Sequence, residues 1–169
     1  NVVLPPDTLF TTSMDDLLND PEIDMVVELA GGIDFPRTLI TRALQAGKPV
    51  VTANKALLAE HGSELFELAA ANGLGLYYEA SVAGGIPIIQ TLKESLAANR
   101  ISSITGILNG TANFIMSEMT EKGEDFAKVL GKAQAKGYAE ADPTLDIEGI
   151  DAAHKLTILI RLAYGLDFP

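Results

Sequence analysis

The run DMVVEL at residues 24–29, followed by Gly31 and Gly32, decides the fold of this chain. Apolar and β-branched residues dominate it without regular polar alternation, as in a strand that is buried on both faces of a parallel sheet. The next segment, residues 35–46, carries apolar residues on one helical side and is followed by Gly47. Glycine is typical of the position just after a helix. The sequence therefore predicts a strand followed by a helix.

The same alternation continues as far as Glu79. Strands are predicted at residues 49–52 and 75–78, and residues 55–71 between them predict one or two helices. Short connections between such elements indicate right-handed crossovers in a parallel sheet. We place a domain boundary at Glu79, so that residues 1–79 form part of a nucleotide-type α/β domain and residues 80–169 form a substrate domain.

The second part of the chain has a different pattern. A helical stripe runs through residues 88–96, and a longer strand is predicted at residues 100–108. Helices are then predicted at residues 111–120, 124–136 and 149–163, since apolar residues recur there at helical spacing. The fold class predicted from the whole chain is α/β.

Composition excludes several classes of function. The chain has 169 residues, a net charge of −11 and no cysteine. An acidic chain lacks the basic stripe of a nucleic-acid-binding protein. Without cysteine there are no disulfides, thiolate metal sites or thiol nucleophiles.

No apolar run approaches the roughly 20 residues that span a bilayer, and no leader is seen at Asn1. We expect a cytoplasmic protein without membrane or nucleic-acid partners, cut at both ends from a larger fold.

A first group of chemically capable residues lies at residues 50–55. Thr52 closes a strand, Asn54 suits a helix N-cap, and Lys55 opens the helix. A cation in the first helical turn faces the positive end of the helix dipole, which costs about 0.3–1 kcal/mol. Lys55 is therefore either a solvated side chain that swings away, or a ligand-facing ammonium at the carboxyl end of a parallel strand, where α/β sheets bind ligands.

A second group lies at residues 137–155, where five carboxylates fall within residues 140–151. Asp151 and Lys155 are four apart and share a helical face. They are either an ordinary surface pair or part of a buried proton-transfer site, since the following helix is apolar nearly all round. An oxygen-ligand site for Mg²⁺ or Ca²⁺ is a third interpretation.

Two further junctions between predicted elements contain candidate site or capping residues. Glu79 precedes a loop containing Gly84 and Gly85, which indicates either a cation site or a cap on the next helix. At residues 106–113 a strand meets a helix, with Asn109 or Thr111 as the expected cap. No window matches the G-x-G-x-x-G fingerprint that binds a dinucleotide's pyrophosphate.

Taken together, these blocks resemble homoserine dehydrogenase. The segments 50–55, 79–88, 106–113 and 137–155 occur in the order and spacing of that family. The resemblance implies the C-terminal part of a Rossmann-type parallel sheet, followed by a mixed α+β domain for substrate binding and homodimerisation. It also implies NAD- or NADP-dependent interconversion of L-homoserine and L-aspartate 4-semialdehyde, in the biosynthesis of threonine, methionine and isoleucine.

The resemblance assigns substrate-side roles residue by residue. Lys155 matches the lysine taken as proton donor to the aldehyde oxygen, and Lys55 matches the lysine between nicotinamide and substrate. Glu140 matches the glutamate that binds the amino group of homoserine. Asp146 and Asp151 match acidic residues of the same pocket, and we count Asp146 with the catalytic group.

Cofactor and cation roles follow in the same way. Ala30, Gly31 and Thr52, with Lys55, match the strand ends beside the nicotinamide. A monovalent-cation site, usually sodium, is matched by Glu79 and the carbonyls of Val82, Gly84 and Ile86.

Because the glycine-rich phosphate-binding crossover is absent, we expect the chain alone to bind NAD(P) weakly and turn over slowly or not at all. Two other functions stay open: a non-catalytic small-molecule-binding or dimerisation module, and an oxidoreductase that acts on another amino-acid semialdehyde.

Overall fold

The computed structural model describes residues 3–166. Three short strands and eight helices follow one another along the described chain. In order these are α1 (Met14–Asn19), β1 (Val26–Glu28), α2 (Asp34–Gln45), β2 (Val50–Thr52), α3 (Lys55–Ala71), β3 (Leu76–Tyr77), α4 (Ile88–Gln90), α5 (Gly110–Lys122), α6 (Phe126–Ala135), α7 (Thr144–Ile147) and α8 (Ile150–Tyr164).

The three strands form one parallel sheet in the order β1-β2-β3. Val26 pairs with Val50, and Val50 pairs with Leu76 on its other side. Both crossovers are helical, because α2 joins β1 to β2 and α3 joins β2 to β3. The predicted α/β class, the parallel sheet and the order of its elements are confirmed, and residues 55–71 form one helix. The strand predicted at residues 24–29 spans only Val26–Glu28 and is not buried on both faces, since Val27 is 58% exposed.

One hydrophobic core spans most of the molecule. Residues of α2, α3 and the sheet supply its greater part, and Ile158 and Leu159 of α8 belong to the same cluster. Helix α8 packs chiefly against α3. Arg161 strengthens this contact, since its Nη1 donates to the carbonyl of Leu58 at 2.7 Å. Helix α8 is thus held against the helix that begins at Lys55.

After Glu79, all the regular secondary structure of the described residues is helical. Helices α5 and α6 form a second, smaller core around Ile115, Val129, Ala133 and Ala139. Residues 91–95 extend α4 as a π-helical segment, so the stripe predicted at residues 88–96 is helical but irregular.

The strand predicted at residues 100–108 is wrong: this segment has no regular secondary structure. A strand needs a neighbour that pairs with its backbone N–H and C=O groups. Within residues 3–166 every strand lies in the three-stranded sheet, and residues 100–108 do not join it. The apolar, β-branched character of the segment was therefore not sufficient to make a strand.

No helix within residues 3–166 combines the length and the apolar character needed to cross a membrane.

Candidate active site

A cleft of about 850 Å³ opens where α5, α7 and α8 meet the beginning of α3. Its walls carry two lysines, Lys55 and Lys155, and four carboxylates. The carboxylates are those of Glu140, Asp142, Asp146 and Asp151. With all six groups ionised, the cleft holds an excess of two negative charges. Such a lining is complementary to a ligand that carries a positive group.

Asp151 lies at the centre of this cluster. It is 8% exposed, and its Oδ2 accepts a hydrogen bond from Lys155 Nζ at 2.6 Å. Its other oxygen, Oδ1, lies 3.2 Å from Lys55 Nζ. The predicted i,i+4 pair is therefore formed on a largely buried helix face. Lys55 does not swing away into solvent, because it joins the strand end at β2 to the first turn of α8.

The environment of Asp151 favours its ionised form. Burial by itself raises the pKa of this carboxyl, but hydrogen bonds from Lys155, Asn109 and Lys55 more than offset burial, so the net pKa is lowered. Lys155 also donates to the carbonyl of Leu108 at 2.8 Å. An ammonium has three N–H donors. Two are thus used within the protein, and the third is available to a ligand in the cleft.

Asn109 ties the carboxylates together. Its Nδ2 donates to Asp146 Oδ1 at 2.7 Å and to Asp151 Oδ2 at 2.9 Å. Its Oδ1 accepts from the backbone N–H of Ala112 at 2.7 Å and so caps α5. Asn109 was one of the two caps that the sequence predicted here, but the sequence did not predict the two bonds to carboxylates that lie 37 and 42 residues away.

Glu140 lines the same cleft from the loop between α6 and α7. The side chain is exposed, and within residues 3–166 no hydrogen bond or ion pair engages its carboxylate. Nearby, Thr111 Oγ1 donates to the carbonyl of Tyr138 at 2.6 Å, which holds this loop against α5. The Glu140 carboxylate is therefore available to a ligand.

A second, smaller cleft of about 300 Å³ lies at the carboxyl ends of β1 and β2. Gly31, Gly32, Asn54 and Lys55 belong to its lining. Both glycines have positive φ, and a Cβ on either would meet no atom within 4 Å. Lys55 lines both clefts, so its ammonium lies between the two spaces.

The loops of the smaller cleft are held by a buried carboxylate that the sequence analysis did not single out. Glu28 is 1% exposed. Its Oε1 accepts from the N–H groups of Ala30 and Gly31, and its Oε2 accepts from Thr52 Oγ1 at 2.6 Å. Thr52 Oγ1 in turn accepts from Asn54 N at 3.0 Å. Three of the predicted cofactor residues are thus brought together beside the cleft by Glu28.

A charged residue within a buried β-branched run was the available signal for Glu28. Such a group must find hydrogen-bond partners when it is removed from water. The residues next to Glu28 in the sequence do not reveal its partners. These are the backbone of the turn after its own strand and Thr52, which lies 24 residues away.

The predicted cation site lies elsewhere, since Glu79, Val82, Gly84 and Ile86 line neither cleft. The Glu79 carboxylate accepts from the N–H groups of Ile89 and Gln90, both at 2.9 Å. Glu79 therefore caps α4, in agreement with the capping alternative. Within the described residues, no group of three or more His, Cys, Asp or Glu side chains could hold a metal ion.

Comparison with known proteins gives a consistent result along the chain. Residues 3–79 match the family model of the homoserine dehydrogenase NAD binding domain, and residues 87–169 match that of homoserine dehydrogenase. The homoserine dehydrogenase of Pseudomonas aeruginosa is 57% identical over 94% of this chain, and that of Neisseria gonorrhoeae is 56% identical over 95%. The chain spans 37% of the length of each of these relatives.

Solved structures agree. A homoserine dehydrogenase from Thiobacillus denitrificans superposes with a TM-score of 0.88 at 59% identity, covering 92% of this chain and 36% of that one. A hyperthermophilic archaeal homoserine dehydrogenase in complex with NADPH gives a TM-score of 0.85 at 32% identity, covering 95% of this chain and 50% of that one. The family models, the relatives and the structures all lead to one conclusion: this chain belongs to the homoserine dehydrogenase family.

Proposed function

We propose that the protein containing this chain interconverts L-homoserine and L-aspartate 4-semialdehyde with NAD or NADP, and so serves the synthesis of threonine, methionine and isoleucine. The observation that carries the proposal is the position of Lys55 and Lys155 on a single carboxylate, Asp151. Reduction of an aldehyde by hydride creates negative charge on the carbonyl oxygen, and fixed cations stabilise that charge. Lys55 and Lys155 supply two such cations.

Lys155 is the proton donor in this proposal. Its bonds to Asp151 and to the carbonyl of Leu108 fix the direction of the ammonium and leave one N–H for the cleft. As the carbonyl carbon is reduced, this proton passes to the substrate oxygen and Lys155 becomes neutral. In homoserine oxidation the neutral amine takes the hydroxyl proton. Asp151 stabilises the ammonium form, and Lys55 provides a second positive charge.

The substrate's other groups have complementary partners in the cleft. The carboxylate of Glu140 and that of Asp146 are suited to the α-ammonium, in line with the negative excess of the lining. The α-carboxylate has a place at the first turn of α5, where Gly110 and Thr111 line the cleft. The first backbone N–H groups of a helix have no acceptor within the helix and attract anions.

The residues of the smaller cleft fit the nicotinamide end of the cofactor. Gly31 and Gly32 leave open space where side chains would stand, and the cleft lies at the carboxyl ends of parallel strands, where α/β sheets bind nucleotides. The bound cofactor supplies or accepts the hydride. Glu28 fixes the two loops, and Lys55 separates this space from the substrate cleft.

The proposal is tested in a grafted enzyme, a full-length dehydrogenase in which residues 3–166 replace the matching segment of the Pseudomonas aeruginosa relative. We expect it to oxidise NADPH when given L-aspartate 4-semialdehyde. The substitution Lys155→Met should lower kcat by about 10²–10⁴-fold, the usual contribution of a general acid. Lys122→Met is the control, because Lys122 pairs with Glu118 away from both clefts and its loss should leave kcat unchanged.

Two outcomes would contradict the proposal. An unchanged hydride-transfer rate in Lys155→Met would favour the non-catalytic alternative. Equal kcat/KM for succinate semialdehyde, which lacks the amino group, would favour an oxidoreductase with another substrate. Glu140→Gln should raise KM for aspartate 4-semialdehyde and leave the weaker succinate semialdehyde reaction as it is.

The cation site at Glu79 is a separate proposal, supported by the supply of oxygen ligands in one loop. The Glu79 oxygens and the Ile86 carbonyl already accept hydrogen bonds from Ile89, Gln90 and Ile88, so sodium would have to share them. Replacing sodium with tetramethylammonium should lower the melting temperature of the grafted enzyme. That effect should disappear in Glu79→Gln.

Homodimerisation is likewise a proposal, supported by family membership. The molar mass of the grafted enzyme in solution tests it, and a monomer at micromolar concentration would contradict it.

A further inference from the structure

We propose that Asn109 is a positioning residue for the dehydrogenase reaction, because its side-chain amide holds Asp146 and Asp151 side by side and thereby sets the direction of Lys155. This inference rests on the proposed function. It goes beyond the helix-capping role that the position has in sequence.

The geometry of the amide leaves it one orientation. The cap on α5 requires an acceptor toward Ala112 N, which fixes Oδ1 on that side. Nδ2 must then face the cleft, where its two N–H groups meet Asp146 Oδ1 and Asp151 Oδ2. An amide nitrogen has two donors, so both are used. Asn109 is 8% exposed, and packing leaves little space for another rotamer.

The charges around the amide explain why a neutral donor is suited to this position. Asp146 comes from α7, Asp151 and Lys155 from α8, and Lys55 from α3, while Glu140 and Asp142 complete the charged lining of the cleft. Both lysines are directed at Asp151. Asp146 has no lysine within ion-pair distance in the described residues, and Asn109 is the donor that engages its carboxylate. A neutral donor holds this carboxylate without neutralising it, which leaves its charge for the substrate ammonium.

A purely structural role makes a different prediction. Asparagine, aspartate and serine are about equally good N-caps. If Asn109 acted as a cap alone, Asn109→Asp and Asn109→Ser would both behave like the unsubstituted enzyme. As a positioning residue it must donate to two carboxylates. Serine can donate once, and an ionised aspartate cannot donate at all and repels both neighbours.

The experiment compares both variants in the grafted enzyme. We expect kcat/KM for aspartate 4-semialdehyde to fall about tenfold in Asn109→Ser and about 100-fold in Asn109→Asp, since misplacement of catalytic groups by about 1 Å has effects of that size. Asn109→Ser should keep a melting temperature close to that of the unsubstituted enzyme, whereas Asn109→Asp should melt at a lower temperature at neutral pH, because its carboxylate repels those of Asp146 and Asp151. The control exchange is Asp125→Asn at the N-cap of α6, where the side chain accepts from Lys128 N at 3.0 Å. It should leave kcat/KM unchanged.

The pH dependence of kcat/KM distinguishes the positioning role from a purely structural one. In Asn109→Asp the new carboxyl stands beside Asp146 and Asp151, and like charges raise the pKa of such a group. Protonation restores one O–H donor, so the activity of this variant relative to the unsubstituted enzyme should rise as the pH falls. Equal kcat/KM in all three proteins would overturn the proposal, as would a loss that is the same at every pH. Failure of the unsubstituted grafted enzyme to reduce aspartate 4-semialdehyde would instead refute the proposed function.

Discussion

The two clefts that share Lys55 are built in opposite ways. The larger one is lined by ionised side chains from three helices and from the loop between α6 and α7, and their charges neutralise one another in part. The smaller one is made of backbone turns at the ends of β1 and β2, held from behind by the buried Glu28. The larger cleft presents several charged side chains to its ligand, whereas in the smaller cleft the carboxylate of Glu28 is engaged by the turn after β1 and by Thr52.

This difference follows from what each space has to do in the proposed reaction. Charge appears and disappears on the substrate oxygen, so cations and their counter-ions must stand there in advance. The nicotinamide ring needs a surface of defined shape, and glycine turns allow close approach of the backbone. Lys55 belongs to both spaces, so the strongest test of the comparison is to remove it.

Among the substitutions that test this comparison of the two clefts, replacing Lys55 should have the largest effect. In the grafted enzyme, Lys55→Met should lower kcat/KM by about 10²–10³-fold, the cost of removing one group that stabilises a developing oxyanion. Because Lys55 lines both clefts, KM should rise for the cofactor as well as for the semialdehyde. Steady-state kinetics with each substrate varied would show this. Lys128→Met in α6, which removes an ion pair with Glu124, should change neither constant. An effect of Lys55→Met on a single substrate would place the residue in one cleft.

The pH dependence of stability should separate the charged cleft from the protein surface. The pKa of Asp151 is lowered, so its stabilising contribution is present above the ordinary aspartate value of about 3.9 and is lost as the pH falls through the lower folded value. Asp151→Asn should cost about 1–3 kcal/mol at pH 7, because it removes charged hydrogen bonds from a buried site. Its unfolding free energy should also decline less steeply below about pH 4. Urea titrations at several pH values measure both effects.

Glu64 is the control for that prediction. Its pKa is also lowered, chiefly by the hydrogen bond from Arg37, but both side chains of this pair are about 45% exposed. Solvent and salt screen such pairs. Glu64→Gln should therefore change stability by less than about 1 kcal/mol, and the change should shrink in high salt. If the stability change caused by Asp151→Asn were as small and as salt-sensitive as that caused by Glu64→Gln, the cluster would behave as a surface ion pair.

The smaller cleft should respond to Glu28→Gln. The amide can still accept from Ala30 N and Gly31 N, but its nitrogen cannot accept the hydroxyl hydrogen of Thr52. We expect KM for the cofactor to rise about tenfold, equivalent to about 1.4 kcal/mol, with KM for the semialdehyde little changed. Glu22→Gln is the control, because Glu22 is exposed and precedes the same strand. Equal changes in both KM values would mean that Glu28 supports the whole domain rather than the cofactor side.

The sequence predicted those features that depend on residues close to one another in the chain. A strand within residues 24–29, the caps Asn54 and Asn109, and the Asp151–Lys155 pair all depend on neighbours within a few positions, and all are present, the strand as Val26–Glu28. Contacts across the fold were not accessible in this way. The distance from Lys55 to Asp151 is set by the packing of α8 on α3, and no spacing in the sequence encodes it. The segment 100–108 failed for the same reason, since a strand exists through its neighbours.

The smallest expected effect comes from a change in the packing contact between α3, which carries Lys55, and α8, which carries Lys155. A Cβ at Gly62 of α3 would lie 2.8 Å from Arg161 Nη1 and would push the guanidinium from the carbonyl of Leu58. Alanine in a helix interior gains about 1 kcal/mol over glycine, but disturbing a charged hydrogen bond costs about 1.5–3 kcal/mol. Gly62→Ala should therefore lower the unfolding free energy of the chain by about 0.5–2 kcal/mol.

The matched control is Gly131→Ala in α6, where a Cβ meets no atom within 4 Å. It should raise the unfolding free energy by up to about 1 kcal/mol, as the helix gains without losing a contact. In the grafted enzyme, Gly62→Ala should also lower kcat about two- to fivefold, since a small shift of α8 moves Lys155 relative to Lys55, while Gly131→Ala should not. If both substitutions stabilised the chain equally and left kcat unchanged, the close approach of Arg161 to α3 would have no part in aligning the two lysines, and the clefts would be coupled through Asp151 instead.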